Sequence, residues 1–376
     1  MNVLHIVNGY IGNSLYKHFF TQLGTYNIAQ SVFVPARKPG QVGINKPDNP
    51  EIKTYYPIIV NSFIYRLIFH LKIRKELRAI RSLVTVTDFS LIHAHTLFSD
   101  GAVAYYLFKQ YKIPYIVAIR NTDINVFCKY FFHLRNLGRE IILNSEKLVF
   151  LCDPYKEKLK LYYGSIAELI EHKSVIIPNG IDDFWYKNKP QVKTLSKDIR
   201  LVFAGQITYN KNIHTIIRAI EKLQGELVPE LAIIGAGPND QKWYLKWLEF
   251  MIKNKPLIKI KKAIPKEELA MFYKDATMFV MPSFKESFGL VYAEAISQNL
   301  PVLYTAKEGF DGWFYQGEVG YSVDPYSPAD IAEKIILTVK NYDEIQHTIA
   351  SKGEFFSWRA ICEKYYQMYS NISRNN

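Results

Sequence analysis

The sequence predicts an α/β protein with two parallel-sheet domains in tandem. Short apolar runs alternate with segments of helical period along both halves, as expected for parallel sheets covered by helices on both faces. The 376 residues exceed the usual size of one domain. A polar stretch without sustained period, Asp182–Asp198, separates the halves and is interpreted as a linker. Two such domains would face each other across a cleft, with ligands at the carboxyl ends of strands.

The elements of the first half follow from its apolar runs. Helices are predicted at Ser14–Leu23, Ser99–Tyr111 and Tyr130–Glu146. The predicted strands are Asn2–Val7, Ile28–Val34, Ser90–His95, Pro114–Ile119, Lys147–Leu151 and Ser174–Ile177.

The second half repeats this alternation. Its predicted strands are Arg200–Ala204, Leu231–Ile234, Leu257–Ile260, Thr277–Met281 and Pro301–Tyr304. Its predicted helices are Ile213–Leu223, Gln241–Lys253, Lys266–Lys274, Leu290–Gln298 and Pro328–Lys340.

The composition narrows the class of protein. A hydrophobic content of 48% supports full cores. The sequence has no run of 18 apolar residues without charge, so no transmembrane helix is predicted. MNVLHIVNGY has the pattern of a buried first strand rather than that of a signal peptide. Three scattered cysteines, Cys128, Cys152 and Cys362, indicate a reducing compartment without a disulfide framework or zinc site. We therefore expect a cytoplasmic protein.

The positive charge is concentrated in the first half. Residues 1–180 hold 22 Lys and Arg against 12 Asp and Glu, whereas the remainder holds 25 against 23. A lopsided basic charge predicts an anionic partner, namely a membrane surface, a nucleic acid or a phosphorylated substrate.

The stretch FVMPSFKESFGLVYAEAISQN carries two acids at a fixed spacing. It is predicted to form a strand, a loop with Glu286, and a helix with Glu294 more than one turn inside. The start of that helix favours an anion such as phosphate, and a carboxylate at Glu294 can accept hydrogen bonds from a vicinal diol such as a ribose. The alternative is a loop charge and a solvated helix residue.

Together with its surroundings, this stretch resembles the retaining GT-B glycosyltransferases of family 4, the glycosyl transferases of group 1. The resemblance extends through VIIPNGID, LVFAGQITYNKN, IIGAGP, LIHAHTLFSDGAVA, IPYIVAIRNTD and FFSWRAICEKYYQMY. It implies the GT-B fold, with an acceptor-binding domain over residues 1–182 and a nucleotide-sugar-binding domain over residues 198–352. It also implies that residues 353–376 form a helix crossing back to the first domain.

The resemblance also implies roles for individual residues. Glu294 would bind the nucleotide ribose, Glu286 would face the hydroxyls of the donor sugar, and Lys211 would contact the diphosphate and stabilise the leaving group. Further donor contacts are implied at Gly205, Gln206, Gly235, Gly237, Ser287, Phe288, Gly289 and Leu290. No Asp-x-Asp motif is apparent, so neither a metal nor another cofactor is expected.

Two positions depart from the family pattern. Gln206 stands where the family usually has an arginine, so one cation that would assist the leaving group is missing or supplied elsewhere. Arg120 stands where a histidine normally approaches the donor sugar. Arg120 would either replace that charge as a catalytic residue or form an ion pair with Asp123.

Further candidates lie in the first half. Gly9 and Gly12, followed by Asn13, form a turn in which the backbone could approach a phosphate or acceptor, although a plain strand–helix turn fits about as well. His93 and His95 share one face of a strand. His-x-His can bind a metal, but no third ligand is evident in the sequence, so a core or cleft histidine is favoured. His95 and Asp123 are placed at the acceptor or phosphate loop.

The stretch NSFIYRLIFHLKIRKELRAIRSL, residues 61–83, is a basic amphipathic helix candidate. Six cations face one acid, Glu76, which suits an anionic membrane surface. A domain helix with a solvated basic face is the alternative. Its apolar positions are Phe63, Ile64, Leu67, Ile68 and Leu71, and its cations are Arg66, Lys72, Arg74, Lys75, Arg78 and Arg81.

The sequence thus predicts a bacterial retaining glycosyltransferase of polysaccharide biosynthesis. It would move a sugar from a nucleotide-diphosphate sugar to a glycan or lipid-linked acceptor, peripherally at the inner face of the cell membrane. A nucleotide-sugar 2-epimerase of GT-B architecture and a degenerate, non-catalytic subunit are the alternatives. Nucleic-acid binding is not expected, because no module for it is recognised.

Overall fold

The computed structural model describes residues 1–12, 14–59, 69–223 and 225–374. These residues form two compact units. The first unit contains Met1–Gly180 together with Trp358–Asn376, and the second contains Ile181–Ser357. The stretch interpreted as a linker is therefore part of the second unit.

The first unit is built on seven parallel strands in the order β3-β2-β1-β4-β5-β6-β7. The strand register pairs Val3 on β1 with Gln30 on β2 and with Leu91 on β4. The strands are β1 Asn2–Ile6, β2 Ala29–Phe33, β3 Lys53–Tyr55, β4 Leu91–Ala94, β5 Tyr115–Ile119, β6 Lys147–Phe150 and β7 Ser174–Ile176.

Helices cover both faces of this sheet. Because side chains alternate along a strand, Val3 and Val7 pack with α1 and the C-terminal helix, whereas Leu4 and Ile6 join the core beneath α2, α3 and α4. The helices are α1 Leu15–Gly24, α2 Phe69–Leu83, α3 Ser99–Tyr111, α4 Arg135–Asn144, α5 Asp153–Tyr162, α6 Ala167–Lys173 and the C-terminal α14 Trp358–Arg374.

The second unit has six parallel strands in the order β10-β9-β8-β11-β12-β13. Its strands are β8 Arg200–Ala204, β9 Glu230–Ile234, β10 Ile258–Lys261, β11 Met278–Val280, β12 Val302–Thr305 and β13 Gly320–Val323. Its helices are α7 Asp183–Lys187, α8 Ile213–Lys222, α9 Lys242–Ile252, α10 Lys266–Asp275, α11 Leu290–Ser297, α12 Pro328–Lys340 and α13 Tyr342–Ser351.

The predicted fold class is confirmed, with parallel-sheet units and a C-terminal helix that packs on α1 of the first unit. Two strands were not predicted, β3 and β13. Both are short, lie at sheet edges and lack an apolar run. The helix predicted over residues 130–146 starts only at Arg135. None of the helices in the described ranges has the length and apolarity that a membrane span needs.

Candidate active site

The glycines of the second unit line a pocket at the carboxyl ends of β8 and β9. It encloses about 340 Å³. Gly205 and Gln206 follow β8, and Gly235 and Gly237 follow β9. The structure therefore brings these four predicted donor residues together around one opening, where parallel α/β sheets usually bind ligands.

Packing of the two strand ends explains the glycine at position 235. A Cβ atom there would lie 1.8 Å from the carbonyl oxygen of Gly205, which no side chain tolerates. The backbone N–H of Gly205 donates to the carbonyl of Ile234 at 3.0 Å. Gly235 thus allows the two loops to approach closely and leaves their backbone to form the pocket wall.

An ion pair in this unit joins Lys211 and Glu286. Lys211 Nζ lies 2.6 Å from Glu286 Oε2, with the two side chains 22% and 11% exposed. The other carboxylate oxygen of Glu286 accepts the backbone N–H of Ser287 at 3.0 Å. Two residues that are 75 positions apart in sequence are therefore held in direct contact.

Asparagine side chains fasten the two loops that carry this ion pair. Asn210 Nδ2 donates to the carbonyl of Lys285 at 2.9 Å, and the backbone N–H of Phe284 donates to the carbonyl of Asn210. Asn212 is buried in a left-handed conformation, and its amide reaches the carbonyls of Pro282 and Pro325. These contacts fix the position of Lys211 relative to Glu286.

The predicted turn leads directly into α11. Gly289 precedes the helix with a φ of 77°, and a Cβ atom there would meet the Tyr292 ring at 2.5 Å. Phe288 is buried against Phe310 and Phe356. Phe288 thus anchors the turn, while the backbone N–H groups of the first helical turn lack partners within the helix.

Glu294 lies one turn further along α11 and is partly buried. Burial raises its pKa to about 7, although a hydrogen bond from Trp185 opposes this shift. Trp185 lies on α7, in the stretch interpreted as a linker, beside an ion pair between Lys266 and Asp182. The tertiary structure therefore supplies a partner for Glu294 that its local sequence does not reveal.

In the first unit, Arg120 connects His95 and Asp123. Arg120 Nε donates to the carbonyl oxygen of His95 at 3.3 Å, and its backbone N–H donates to Asp123 Oδ2 at 2.9 Å. Its guanidinium also hydrogen-bonds with Tyr16 and Tyr365. The observed link to Asp123 is thus through the Arg120 backbone rather than through the side-chain ion pair considered as the alternative.

Asp123 is buried and caps a cluster of backbone donors. It accepts the backbone N–H groups of Leu97 and Phe98 as well as that of Arg120. Burial raises its pKa to about 6, against the effect of these hydrogen bonds. Gly12 lies in open space, with nothing within 4 Å of a Cβ atom, and Asn13 lies outside the described residues.

His93 and His95 have a third histidine beside them, so the expectation that no third ligand lies nearby is wrong. His5 on β1 joins them, with one ring nitrogen of each residue within 4.8 Å of the others. His5 Nδ1 lies 3.3 Å from His95 Nε2, and His93 Nδ1 lies 2.6 Å from the Tyr369 hydroxyl. Burial holds the pKa of all three imidazoles well below the usual value, so they are neutral at pH 7.

A second cavity lies in the first unit, at the carboxyl ends of β1, β2, β4 and β5. It encloses about 310 Å³. Gly9 and Asp123, both predicted from the sequence as candidates, lie in its wall. Sequence reasoning missed Asn8 there and treated Glu76 as the single acid of a basic helix. Glu76 is the single acid among six cations in an amphipathic stretch. That isolated acid was a signal in the sequence that Glu76 could have a buried, functional position.

The two Rossmann-like units, each built on a parallel sheet, define a GT-B fold. Sucrose-phosphate synthase from Thermosynechococcus elongatus is similar at a TM-score of 0.74 and 17% identity, with 100% of both chains covered. HepE from Anabaena in complex with UDP is similar at a TM-score of 0.73 and 16% identity, covering 99% of this chain and 100% of that one.

Residues 27–183 match the description Glycosyltransferase Family 4, and residues 186–354 match Glycosyl transferases group 1. The chain therefore belongs to glycosyltransferase family 4 and is an enzyme of hexosyltransferase type.

Similar curated proteins also have glycosyltransferase names. An uncharacterized glycosyltransferase of Methanocaldococcus jannaschii is 24% identical over 76% of this chain and 75% of its own length. A D-inositol 3-phosphate glycosyltransferase of Paenarthrobacter aurescens is 26% identical over 59% and 56%. A putative teichuronic acid biosynthesis glycosyltransferase of Bacillus subtilis is 24% identical over 65% and 60%. The matches thus span little more than half of the latter two relatives.

Proposed function

We propose that this protein is a retaining glycosyltransferase that takes a sugar from a UDP-sugar. The acceptor would be a glycan or a lipid-linked glycan of cell-surface polysaccharide biosynthesis. UDP is favoured because the similar HepE structure is a complex with UDP. Polysaccharide biosynthesis is favoured by the likeness to the teichuronic acid glycosyltransferase.

The contact between Lys211 and Glu286 carries this proposal. At 2.6 Å it is a close ion pair on two loops beside the start of a helix. A diphosphate is a stronger partner for a lysine than one carboxylate. The diphosphate of the donor would therefore replace Glu286 as the partner of Lys211. Glu286 would then be left to accept hydrogen bonds from the donor sugar. A positive charge held at this place stabilises negative charge on the departing nucleotide.

Glu294 would hold the ribose of the same donor. Its partly buried carboxyl already accepts a hydrogen bond from Trp185, and a diol could donate two further hydrogen bonds to it. Gln206 would contact a phosphate without adding charge, as part of the pocket wall. We expect no metal in this chemistry, because Lys211 and the helix start would supply the positive potential.

A thermal-shift panel tests the donor assignment. Wild type and Glu294→Ala are heated with UDP, GDP, ADP, CDP and their sugars, without metal. A ligand that binds the folded state raises the midpoint with its occupancy. We expect UDP and UDP-sugars to raise the midpoint of wild type, and Glu294→Ala to lose most of that shift. Stabilisation by GDP alone would show that the donor nucleotide carries guanine instead of uracil. The absence of a shift with any nucleotide would overturn the donor proposal.

Product analysis separates the proposal from its two alternatives. Conversion of UDP-GlcNAc without an acceptor would instead identify a 2-epimerase. Nucleotide binding without turnover on any acceptor would identify a degenerate subunit. A product whose anomeric configuration is inverted relative to the donor, as read by NMR, would refute the retaining mechanism.

We further propose that the first unit binds an anionic membrane surface, as expected for an enzyme with a lipid-linked acceptor. On α2 the cations Arg74 and Arg78 are exposed. A segment with two exposed aromatic residues, Tyr130 (61% exposed) and Phe132 (71% exposed), follows Phe127 in the sequence. The ring of Phe127 contacts that of Phe69 at the start of α2, so this segment lies beside the helix. Aromatic side chains beside cations suit the headgroup region of a membrane. The predicted apolar positions 63, 64, 67 and 68 lie outside the described residues.

Liposome co-sedimentation tests this surface. Wild type should sediment with vesicles containing phosphatidylglycerol and much less with pure phosphatidylcholine. Replacing Tyr130 and Phe132 by serine should weaken sedimentation several-fold. Leu161→Ser is the matched control, because Leu161 is 85% exposed on α5. Equal sedimentation of both variants would refute the proposed surface.

A further inference from the structure

Four aromatic rings of the second unit form a row that reaches the protein surface, which we call the aromatic row. In order along the row they are Trp243, Tyr209, Phe284 and Tyr326. Neighbouring ring centroids are 6.0, 5.5 and 5.0 Å apart. Trp243 is 55% exposed, Tyr209 46% and Tyr326 75%. Large aromatic side chains that are exposed side by side indicate an interaction surface, whereas scattered single ones do not.

We propose that the aromatic row binds pyranose units of a glycan chain, other than the unit that reacts. This inference rests on the proposed glycan acceptor and adds a second binding surface for it, outside the donor pocket. The C–H groups on one face of a pyranose carry a slight positive charge, so they pack on the negative face of an aromatic ring. The hydroxyl groups at the edge of the pyranose remain available to polar side chains and water.

Both ends of the row offer an open ring. Tyr326 stacks on Phe284 with 26° between the ring planes, and its high exposure leaves the opposite face of the ring to solvent. Trp243 meets Tyr209 at 35° and Tyr244 edge-on, and more than half of its side chain remains exposed. Two open rings with a covered pair between them suit separate units of one chain better than they suit a single sugar.

The framework beneath the row holds its rings in place. His214 stacks on the Tyr209 ring at a centroid distance of 5.2 Å, and the backbone N–H of Tyr209 donates to Gln241 Oε1 at 2.9 Å. At the other end, the backbone N–H of Tyr326 donates to Asp324 Oδ1 at 2.9 Å. Rings that are fixed in advance lose little conformational entropy on binding, so each contact contributes more of its energy to affinity.

The charges near the row favour a neutral glycan over an anionic partner. Three lysines and two aspartates are exposed within three residues of the row in sequence, Lys242, Lys246, Lys285, Asp240 and Asp324. This near balance attracts an anionic membrane or a nucleic acid much less than a run of cations does. Carboxylate and ammonium groups together can accept hydrogen bonds from sugar hydroxyls and donate to them.

The row borders the candidate active site of the same unit. Tyr209 lies in the same short helix as Lys211, and Phe284 lies two residues before Glu286. The backbone N–H of Phe284 donates to the carbonyl of Asn210 at 2.8 Å, which ties the two loops together. A glycan on the row therefore lies beside the loops that carry the ion pair between Lys211 and Glu286.

Equilibrium binding to the whole chain tests this proposal. The probes are maltohexaose, cellohexaose, laminarihexaose and chitohexaose, with glucose as the single-ring comparison, and ligand-observed NMR measures their affinity. At least one hexasaccharide should bind wild type about tenfold or more tightly than glucose, because more than one ring takes part. Its binding should also change the tryptophan fluorescence, since Trp243 is one of the rings.

Variants at the two ends of the row locate the binding. Tyr326→Ser and Trp243→Ser should each weaken the best hexasaccharide about three- to tenfold, the effect of losing one aromatic contact. Tyr326→Phe keeps the ring and should bind as wild type does. Phe250→Ser is the matched control, because Phe250 is exposed on the same helix as Trp243, α9, but does not belong to the row. The midpoint of thermal unfolding without ligand shows that each variant is folded.

The UDP-induced thermal shift separates this proposal from the donor proposal. Hexasaccharide binding without a UDP shift would leave the row assignment intact while the donor proposal fails. A UDP shift without binding of any hexasaccharide to wild type would overturn the row assignment alone, as would affinities that neither Tyr326→Ser nor Trp243→Ser changes. Sedimentation with phosphatidylglycerol vesicles that these two variants lose, without hexasaccharide binding, would assign the row to a membrane instead.

Discussion

Glu286 in the second unit and Glu76 in the first each lie beside a lysine, at 2.6 Å and 3.6 Å respectively. Glu286 is partly exposed on a loop and its ion pair is close. Glu76 is buried on a helix, where desolvation raises its pKa to about 7 against the pull of Lys72. In the first unit, therefore, the loss of hydration exceeds the attraction between the two charges.

This difference bears on what each site can bind. A close, partly exposed ion pair keeps both charges and can exchange one partner for a diphosphate at little cost. A buried carboxyl whose pKa is about 7 is instead partly protonated at neutral pH, so it can donate a hydrogen bond as well as accept one.

The largest effect is expected at Lys211. Lys211→Met removes the cation of the close pair and should lower transferase turnover about 100- to 1000-fold, as loss of a single stabilising group does in other enzymes. The midpoint of unfolding should change little, because partly exposed ion pairs contribute about 1 kcal/mol or less. Steady-state kinetics with saturating donor measures the effect.

Lys285→Met is the control for this variant, since Lys285 is exposed on the same loop as Glu286. It should keep wild-type turnover. Turnover of Lys211→Met within fivefold of wild type would mean that the charge of Lys211 has no part in the reaction.

The glycine turns of the two units are expected to respond differently. Gly235→Ala places a Cβ atom 1.8 Å from the carbonyl oxygen of Gly205 and should destabilise the protein by about 1–3 kcal/mol. Gly12→Ala meets nothing within 4 Å and should change the stability by about 0.5 kcal/mol or less. Urea unfolding of both variants compares them. Equal losses would mean that the two turns are under the same constraint.

The buried carboxyl of Glu76 predicts a pH dependence of the free energy of unfolding. The pKa of Glu76 is about 7 in the folded chain and about 4.5 when unfolded. The folded chain therefore keeps a proton that the unfolded chain releases, so this carboxyl lowers the free energy of unfolding as pH rises through that window. Glu76→Gln should gain about 1–3 kcal/mol relative to wild type between pH 5 and pH 8.

The comparison must be made between variants at each pH. His5, His93 and His95 have lowered pKa values, so they reduce stability as pH falls below about 6.5, which is the opposite trend. Subtracting wild type from Glu76→Gln removes that contribution. Glu168→Gln should show no such gain, and a pH-independent difference for Glu76→Gln would contradict the raised pKa.

The smallest effect is expected from metal removal. EDTA should leave nucleotide binding and transfer unchanged. A divalent ion among His5, His93 and His95 would lie in a dry core near the Arg120 cation, which already opposes positive charge there. Stoichiometric uptake of Co²⁺ with a visible absorption band, abolished in His93→Phe, would instead identify a metal site.

Sequence patterns predicted most of the described strands to within one residue, because buried parallel strands leave continuous apolar signals. The helices α5, α6, α7 and α13 were not predicted, and α4 begins five residues after its predicted start. The strands β3 and β13 escaped, since an edge strand has one neighbour and needs no long apolar run. Among the predicted donor residues, Gly205, Gln206, Gly235 and Gly237 line one pocket, and Lys211 contacts Glu286, because these turns follow strand ends. Their roles in binding remain predictions.

By itself, the sequence determined the parallel α/β fold of both units and predicted a set of donor residues, because both depend on short contiguous stretches. Tertiary structure alone decided which distant groups meet. It brought Trp185 to Glu294, His5 to His95, and Asn8 to Glu76 and Asp100. The reason is physical. Burial and partnership depend on elements that are tens of residues apart in sequence, and these set whether a carboxyl remains charged and where its open oxygen points.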